Sequence, residues 1–362
     1  MDVLRYQRQL QLPGFAKEGQ QKLAEAKVLV VGAGGLGVPV LQYLAAMGVG
    51  TLGIVDADTV SLSNLHRQVI YTSADVGMRK VERCSEKLRQ QNPGIQIKTY
   101  PVFLSADNAL DILRDYDVVV DATDNFNARY LINDACVMLN KPFVYGALQQ
   151  FEGHVSVFNH QGGPTYRCLY PNPPDQGQIP DCNTAGVLGI VPGIIGSYQA
   201  LEVIKVITGI GQPLTGLLQV FDFLHNSQYQ IKLSLKPENK DIRKLEALDK
   251  ANCSTVASLT AQELLRWIKE GKSFQLIDVR EKREYQKSHL SPSYSFPLSS
   301  INGRLPNLDK DQPWVLFCQQ GGRSTKAIQY LQERYPALTL FNLQGGINAW
   351  LEINGMQMIE QS

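Results

Sequence analysis

A strand followed at once by a glycine-rich turn constrains the fold of this chain more than any other feature. Residues 28–31 read VLVV, an uninterrupted apolar run that is typical of a parallel strand buried on both faces. Residues 32–37, GAGGLG, fit the pattern G-x-G-x-x-G, and a helix rich in Leu and Ala is expected after them. Such a turn lets the backbone approach a phosphate, because glycine carries no side chain and the helix N-terminus presents N–H groups.

The same alternation of strand and helix continues along the first two thirds of the chain. Residues 80–91 read as an amphipathic helix. Further strands are expected at residues 51–56, 95–100, 117–121 and 143–146. Two later strands, near residues 154–158 and 217–223, look antiparallel. The pattern predicts a doubly wound, Rossmann-like α/β sheet, mostly parallel, with an antiparallel extension.

A change of composition after residue 235 indicates a second domain. Residues 236–257 are rich in Lys, Glu, Asp and Asn and predict a linker. Beyond it, helices are expected at 261–269 and 324–335, and strands at 274–278, 314–318 and 338–342. We therefore predict a first domain at 1–235, a linker at 236–257 and a smaller α/β domain at 258–362.

The composition excludes several classes of protein. The 362 residues include 35 Lys and Arg against 34 Asp and Glu, whereas a nucleic-acid-binding domain normally shows a strong basic excess. The most apolar window, residues 185–207, contains Pro192, four glycines, Glu202 and Lys205, which predicts a buried helix rather than a membrane span. Residues 1–5 carry no apolar signal segment, and the six cysteines are scattered. We expect a cytoplasmic protein that binds neither nucleic acid nor membrane.

Asp56 is the first candidate for a contact with a nucleotide. It ends the second predicted strand, 19 residues after Gly37, where a carboxylate accepts hydrogen bonds from ribose hydroxyls. Taken with the glycine turn, this position supports NAD about as well as ATP. An NAD-dependent oxidoreductase is therefore one hypothesis.

Charged residues beyond Asp56 favour ATP. Arg67 and Lys80 are cations that a dinucleotide pyrophosphate does not need, whereas cleavage between the α- and β-phosphates of ATP requires them. Asp124 follows a parallel strand at the end where α/β folds bind ligands, and its carboxylate suits Mg²⁺ held against the phosphates. Asp121, at the end of that strand, is interpreted as a structural acid.

Four motifs in this order resemble the MoeB/ThiF family, whose members adenylate the C-terminal glycine of small ubiquitin-like sulfur carriers. The motifs are R-Y-x-R-Q from Arg5, the glycine turn, S-L-S-N-L-x-R-Q from Ser61 and D-A-T-D-N from Asp121. The resemblance covers residues 1–235. It implies an adenylate pocket formed by Gly34, Gly35, Asp56, Ser63, Asn64, Leu65, His66, Arg67, Lys80, Asp124 and Asn125.

Arg8 carries a further implication of the resemblance. In the family, the arginine of the first R-Q pair reaches into the ATP site of the neighbouring subunit, and Arg8 matches it. The resemblance therefore implies a homodimer with shared active sites. Without it, Arg8 reads as a surface residue of an N-terminal helix.

Cys182 stands apart from the other cysteines of the first domain. Cys84 and Cys136 fall in apolar helical patterns and are expected in the core, whereas Cys182 lies in a segment rich in Pro, Gly and Asp that predicts an exposed loop. It precedes residues 185–187, AGV, which resemble the family's segment after its acyl-accepting cysteine. A thiol there can accept the acyl group or resolve a disulfide; the alternative is a cysteine without a role.

The structural zinc of the family is expected to be absent. Many members bind zinc through two C-x-x-C pairs, but the first pair here reads T-Y-R-C, ending at Cys168. Residues 236–244, where the second pair would fall, contain no cysteine. Tetrahedral zinc needs four N or S ligands. We therefore expect no zinc, and loops held by packing or by dimer contacts.

The smaller domain carries a cysteine at the start of a strand–loop–helix segment. Cys318 is followed by a polar, glycine-rich loop and by Arg323, and the amides, the helix and the arginine favour a thiolate. The spacing is C-x₄-R, one residue tighter than the C-x₅-R loop of cysteine phosphatases, and suits a single sulfane sulfur. Residues 258–358 resemble a rhodanese. Asp278 and Arg280 are interpreted as an ion pair that holds the fold.

Together these observations predict a fused adenylyltransferase and sulfurtransferase. ATP and Mg²⁺ would activate a ubiquitin-like carrier that ends in Gly-Gly, and Cys318 would carry sulfur as a persulfide from a cysteine desulfurase. The product would be a carrier thiocarboxylate, which supplies molybdopterin, thiamine or another sulfur compound. The alternatives are an NAD-dependent oxidoreductase with an accessory rhodanese-like domain, which leaves Cys318 unexplained, and a non-catalytic interaction protein, against which the intact loops argue.

Overall fold

A computed structural model of the protein describes residues 2–173, 186–245, 256–301, 308–354 and 359–360. Two units divide the chain, Met1–Leu248 and Asp249–Ser362. The predicted bounds of the domains and the linker stay predictions. Within the described part, the end of the first unit reaches beyond the last strand of its sheet, because Leu245 is buried in its core.

The first unit alternates helices and strands. Its helices are α1 (Val3–Leu10), α2 (Ala16–Glu25), α3 (Gly37–Met47), α4 (Lys80–Gln91), α5 (Ala109–Leu113), α6 (Phe126–Met138), α7 (Tyr166–Leu169) and α8 (Ile190–Thr208). Its strands are β1 (Lys27–Val31), β2 (Thr51–Val55), β3 (Gln96–Tyr100), β4 (Val118–Asp121), β5 (Phe143–Gln149), β6 (Glu152–Phe158), β7 (Leu217–Asp222) and β8 (Ser227–Lys232).

These strands form one sheet in the order β3-β2-β1-β4-β5-β6-β7-β8. The pairs from β3 to β5 are parallel and those from β5 to β8 are antiparallel, so the predicted sheet with its antiparallel extension is confirmed. The strand order reverses between β1 and β4, where Val31 pairs with Asp121. Open α/β sheets bind ligands at such a switch point, beyond the carboxyl ends of the strands.

Alternate residues of β1 face two separate cores. Val28 and Val30 pack with apolar residues of α3, α4 and α8, whereas Leu29 and Val31 pack with those of α5 and α6. The VLVV run is therefore apolar at every position because helices cover both faces of the sheet.

Helix α8 is one of the elements that cover the sheet. By length and composition it could cross a membrane, but half of its most apolar window is buried inside the protein. The side-chain amide of Gln199 donates hydrogen bonds to the carbonyl oxygen of Asp121 at 2.7 Å and to that of Val144 at 3.3 Å. These contacts match the buried helix that the sequence predicts.

The second unit is a smaller α/β fold. Its helices are α9 (Ala261–Lys269), α10 (Lys282–Lys287), α11 (Gly322–Arg334) and α12 (Gly346–Asn354). Its strands are β9 (Ser258–Leu259), β10 (Gln275–Asp278), β11 (His289–Leu290), β12 (Tyr294–Ser295), β13 (Trp314–Phe317), β14 (Leu340–Leu343) and β15 (Ile359–Glu360). A parallel sheet has the order β12-β10-β13-β14-β9, and β11 pairs antiparallel with β15. The second α/β domain is thus confirmed.

Replacement of two glycines in the turn, one closely packed and one open, should change the stability of the first unit by different amounts. A Cβ at Gly37 would overlap the carbonyl oxygen of Gly32, whereas at Gly34 the nearest atom would be Nε2 of Gln68, 3.6 Å away. We expect Gly37→Ala to lower the free energy of unfolding of the first unit by about 1–3 kcal/mol or more. Gly34→Ala should leave it close to that of the wild type. Urea unfolding followed by circular dichroism measures both, and equal stabilities of the two variants would contradict the packing described.

Candidate functional site

The glycine turn lies at the switch point of the large sheet, between β1 and α3. Gly32 has φ of 103°, and an added Cβ would stand 2.6 Å from the carbonyl oxygen of Ala122, so only glycine fits there. At Gly35 an added Cβ would stand 3.1 Å from Pro192 and 3.5 Å from Cδ of Arg67. Gly34 faces more open space. The turn is therefore packed against protein on one side and leaves room for a ligand at Gly34.

Asp56 is bonded to the turn itself. Its carboxylate accepts hydrogen bonds from the backbone N–H of Ala33 and from that of Asp58, each at 2.8 Å. Burial raises the pKa of Asp56, while the charge of Lys80 acts in the opposite direction. A carboxylate oxygen can accept more than one hydrogen bond, so both oxygens of Asp56 keep lone pairs for ribose hydroxyls.

Lys80 begins α4 and is brought to the turn by two residues that the sequence did not predict. Its Nζ donates a hydrogen bond to the exposed carboxylate of Asp58 at 2.9 Å. The hydroxyl of Tyr71 donates to the carbonyl oxygen of Ala33 at 3.0 Å and lies 3.3 Å from that of Lys80. Because Asp58 is exposed, the ammonium group of Lys80 can exchange this partner for a phosphate.

The predicted contact residues 63–67 form a turn that begins as a 3-10 helix, Leu62–Asn64. The side-chain oxygen of Asn64 accepts a hydrogen bond from the N–H of Ser61. Arg67 donates to the carbonyl oxygen of Ser63 at 3.1 Å and contacts Nε2 of His66 at 2.8 Å. Leu65 packs partly on the core. The turn therefore holds the Arg67 side chain beside Gly35.

The segment after β4 contains the two predicted acids in different roles. Asp121 is fully buried; it pairs with Arg129 at 3.0 Å and accepts hydrogen bonds from the backbone and hydroxyl of Thr123, as expected of a structural acid. Asp124 is exposed, and within the described part no hydrogen bond or ion pair engages its carboxylate. Asn125 caps α6 by accepting the N–H of Ala128 at 2.8 Å, which leaves its NH₂ group for a ligand.

Arg8 lies on α1, which the structure places at the end of α3 opposite the glycine turn. Helix α1 is fixed at the carboxyl end of α3: Gln9 donates to the carbonyl oxygen of Met47 at 3.4 Å, and Asn92 donates to the hydroxyl of Tyr6 at 2.8 Å. The glycine turn lies at the other end of α3, about 16 Å away along the helix axis. Arg8 is exposed.

Gln68 is a candidate to which the sequence analysis gave no role. The residue is 3% exposed, and its Oε1 has no hydrogen-bond partner in the described part of the chain. Its Nε2 is the atom nearest to an added Cβ at Gly34. Since buried polar atoms are normally paired, this amide fits a ligand that brings hydrogen-bond donors, such as a ribose or an adenine amino group.

Two cysteines of the first unit are core residues, as predicted. Cys84 and Cys136 are fully buried, and burial raises the pKa of Cys84 to about 12 and that of Cys136 further. Neither can act as a nucleophile near neutral pH. Cys182 lies outside the described residues, and its role stays a prediction.

Cys318 follows β13, and the loop before α11 surrounds its sulfur. The backbone N–H of Gly321 donates to Sγ at 3.1 Å, and the hydroxyl of Ser324 lies 3.6 Å from it. Burial raises the pKa of Cys318, but hydrogen bonds from Ser324, Gln320 and Gly321 outweigh that effect and hold the pKa below its ordinary value. The residue is 2% exposed, so a donor must bring its sulfur into the loop.

Arg323 is held by Glu284, a carboxylate that the sequence did not predict. Its two terminal nitrogens donate to the two oxygens of Glu284, at 2.7 and 2.8 Å. This pairing holds the pKa of Glu284 down, to about 2, and raises that of Arg323, to which the neighbouring Cys318 also contributes. The loop hydrogen bonds lower the pKa of Cys318, and Arg323, while bonded to Glu284, also interacts with the sulfur in the sense that the sequence predicts.

The predicted ion pair between Asp278 and Arg280 is present and buried. Arg280 donates to Asp278 at 2.7 Å and to the carbonyl oxygen of Ser288 at the same distance. Its remaining nitrogen lies 3.3 Å from Oε1 of Gln319, the residue after Cys318. The pair therefore also supports the cysteine loop, beside a cavity of about 420 Å³ that Lys287 helps to line.

The fold and these two sites define a nucleotide-binding α/β enzyme joined to a sulfur-transfer domain. A model of the ThiF family matches residues 6–242, and a model of the rhodanese-like domain matches residues 260–353. The chain belongs to the ThiF family and carries a rhodanese-like domain. The predicted resemblance is confirmed, and the hypothesis of an NAD-dependent oxidoreductase is set aside.

Curated relatives agree with both matches. The chain is 41% identical to the adenylyltransferase and sulfurtransferase MOCS3-1 of Zea mays, over 96% of this chain and 81% of that protein. It is also 41% identical to the probable adenylyltransferase/sulfurtransferase MoeZ of Mycobacterium tuberculosis, over 96% and 93%. The sulfur carrier protein adenylyltransferase of Thermus thermophilus is 52% identical over 64% of this chain and 88% of its own length. The protein is thus an adenylyltransferase and sulfurtransferase that uses ATP.

A solved structure shows the same fold. The crystal structure of E. coli MccB with MccA-N7isoASN superimposes with a TM-score of 0.58 at 23% identity, over 64% of this chain and 72% of that one. At this identity the match supports the architecture alone.

Ser324→Ala should raise the pKa of Cys318, because it removes a hydroxyl 3.6 Å from the sulfur. A raised pKa leaves less thiolate near neutral pH, so alkylation should slow there and recover only at higher pH. Thr325→Ala is the matched control, since that hydroxyl donates to the carbonyl oxygen of Gly321 at 2.9 Å. The measurement is the rate of iodoacetamide modification of Cys318 against pH, read by peptide mass spectrometry. An unchanged midpoint in Ser324→Ala would remove Ser324 from the site.

Proposed function

We propose that the first unit adenylates the C-terminal carboxylate of a ubiquitin-like sulfur carrier, and that Cys318 then supplies sulfur to the activated carbonyl. The observation that carries the proposal is the convergence of Asp56, Arg67 and Lys80 on the open glycine turn. The relative from Thermus thermophilus, a sulfur carrier protein adenylyltransferase, supports the same substrate for this chain.

The residues at the turn match the parts of ATP. The carboxylate of Asp56 suits the ribose hydroxyls, the N–H groups at the start of α3 suit the phosphates, and the unpaired amide oxygen of Gln68 suits a donor of the nucleoside. The carrier carboxylate attacks the α-phosphorus, the bond to the β-phosphate breaks, and pyrophosphate leaves. Arg67 and Lys80 stabilise the charge that this transfer develops.

Asp124 is the residue that would hold a magnesium ion against the phosphates. Asp124 is exposed and unpaired within the described part, and Mg²⁺ is commonly held by one or two carboxylates together with substrate phosphates. The ion would neutralise phosphate charge. A carboxylate is already nucleophilic, so the site needs no strong general base and acts by positioning and electrostatics.

We further propose a homodimer in which Arg8 completes the site of the partner subunit. The position of α1 at the far end of α3 supports this assignment, because Arg8 cannot reach the glycine turn of its own chain without leaving its helix. Symmetric dimers commonly share residues across such an interface.

In the second step, Cys318 acts as a persulfide. Its terminal sulfur attacks the carbonyl carbon of the adenylate, AMP leaves, and an acyl disulfide forms. A second thiol, which we assign to Cys182, attacks the cysteine sulfur of that disulfide; the carrier leaves as a thiocarboxylate and a Cys182–Cys318 disulfide remains for an external dithiol to reduce. Direct acyl transfer to Cys182 is the alternative route.

We assign the sulfur supply to a cysteine desulfurase and the location to the cytoplasm. The location rests on the thiol chemistry, because a persulfide and a dithiol-reduced disulfide require a reducing compartment. The four cysteines that lie in the described part of the chain are free thiols, in keeping with it.

Asp124→Ala is expected to reduce carrier-dependent exchange of ³²P-pyrophosphate into ATP, on the order of 10²-fold, because the phosphates lose a metal anchor. Asp107→Ala removes another exposed acid and serves as the control. Wild-type exchange should require a carrier that ends in Gly-Gly. Normal exchange in Asp124→Ala would exclude this residue from the reaction, and exchange without any carrier would overturn the proposed substrate.

Two inactive variants should restore activity to each other if Arg8 acts across a dimer. Arg8→Ala and Asp124→Ala chains, co-expressed with different tags, form mixed dimers that hold one complete site. We expect about a quarter of wild-type pyrophosphate exchange in the statistical mixture. Purified mixed dimers with no activity would contradict the shared site, and a fully active Arg8→Ala variant would remove Arg8 from it.

A further inference from the structure

Two turns of the first unit meet around the sulfur of Cys168. One is α7 with Thr165 at its N-cap, and the other is the 3-10 helix Pro237–Lys240 with Lys236 before it. The sulfur accepts hydrogen bonds from the backbone N–H of Thr165 at 3.4 Å and from that of Lys236 at 3.3 Å. A single sulfur atom therefore joins segments that are 68 residues apart in sequence.

The hydrogen bonds extend to two side chains of the same turns. The hydroxyl of Thr165 lies 3.5 Å from Sγ of Cys168, and the side-chain amide of Asn239 lies 3.8 Å from it. The same amide donates to the carbonyl oxygen of Arg167 at 3.0 Å. The sulfur of Cys168 is thus surrounded by groups of Thr165, Lys236 and Asn239.

The spacing of these four positions is that of a tetrahedral zinc site. Two residues separate Thr165 from Cys168, and two separate Lys236 from Asn239, as in paired C-x₂-C motifs. Zinc binds thiolate, imidazole or carboxylate groups, however, and only Cys168 offers one. In the described residues, no group of three or more His, Cys, Asp or Glu side chains could hold a metal ion. The donor set here does not fit zinc.

We propose that hydrogen bonds to the Cys168 sulfur take the place of a metal in holding these two turns together. The donors are the backbone amides of Thr165 and Lys236, with the side chains of Thr165 and Asn239 around them. The interaction is structural and independent of the adenylylation and sulfur transfer proposed above.

The environment of the sulfur supports this role. Cys168 is 9% exposed, and burial raises its pKa, but hydrogen bonds from Thr165, Lys236 and Asn239 outweigh burial and lower the pKa below its ordinary value. Arg167, in the same turn, pairs with Asp134 of α6 at 2.6 Å, so the cluster joins α6, α7 and the turn after β8.

The first test restores the missing ligands. Thr165→Cys, Lys236→Cys and Asn239→Cys, combined in the full-length chain, give four thiols at the four positions. We expect this variant to bind one Co²⁺ or Zn²⁺ per chain, and the cobalt form to show the absorption spectrum of tetrahedral cobalt thiolate. Its Tm should rise when the metal is bound and fall when a chelator removes it. The wild type should contain no stoichiometric zinc, and its Tm should not respond to chelators.

The matched control carries serine at the same three positions and should bind no cobalt. A four-thiol chain that folds, as shown by circular dichroism, and yet binds neither metal would show that the four positions do not converge. One zinc per wild-type chain would overturn the proposal outright, whatever the behaviour of the variants.

A second pair of variants tests the hydrogen bonds even where the four-thiol chain does not fold. Cys168→Ala leaves two backbone N–H groups without their acceptor, whereas Cys136→Ala removes a fully buried sulfur from an apolar stretch of α6. We expect the larger loss of Tm from Cys168→Ala, although Cys168 is the less buried of the two. A smaller or equal loss would contradict the proposal.

Discussion

The close approach of two backbones at the carboxyl ends of β1 and β4 is the constraint on which the nucleotide site depends. Gly32 can lie against the carbonyl oxygen of Ala122, and Gly37 against that of Gly32, only because neither residue has a side chain. This contact starts α3 directly above the switch point of the sheet. Asp56, which follows β2, and Lys80, at the start of α4, lie beside this turn, and Asp124 follows β4, the strand whose end the turn contacts.

Both units stabilise negative charge in the same physical way. In the first unit a glycine turn and the start of α3 present backbone N–H groups to the space where phosphates fit. In the second, the loop before α11 directs N–H groups at the sulfur of Cys318 and lowers its pKa. Each loop also has a cation that is paired with a carboxylate. Lys80 is paired with Asp58, and Arg323 is paired with Glu284. The chemistry of the chain therefore rests on oriented amides with paired cations in support.

Local sequence patterns predict much of the fold and part of the two sites. The helices at 80–91 and 261–269 have the bounds that their sequences predict, since apolar periodicity and end residues define them. The structure also has Asp56 bonded to the glycine turn and Cys318 inside the loop, where the two motifs place them. The partners of these residues were not predictable, because Tyr71, Asp58 and Glu284 act through contacts that exist only after folding. The amides around Cys168 could not be predicted either, because the sequence shows only that two residues separate Thr165 from Cys168 and two separate Lys236 from Asn239.

The family resemblance and the structure point to different residues of the nucleotide site. Sequence motifs alone suggested Arg8, and the structure adds that its helix α1 is fixed at the end of α3 opposite the glycine turn. Conversely, the structure alone draws attention to Gln68, whose buried amide oxygen lacks a partner.

The most direct test of the coupled reaction is intact-mass spectrometry of a Gly-Gly-ended carrier after incubation with the full chain, ATP, Mg²⁺, thiosulfate labelled with heavy sulfur in its outer position and a dithiol reductant. We predict that one oxygen of the carrier C-terminus is replaced by labelled sulfur, and that omission of ATP or the replacement Cys318→Ala prevents this exchange. Labelled thiocarboxylate formed without ATP would show that the carrier need not be adenylated, and its formation at the wild-type rate by Cys318→Ala would show that the sulfur does not pass through Cys318.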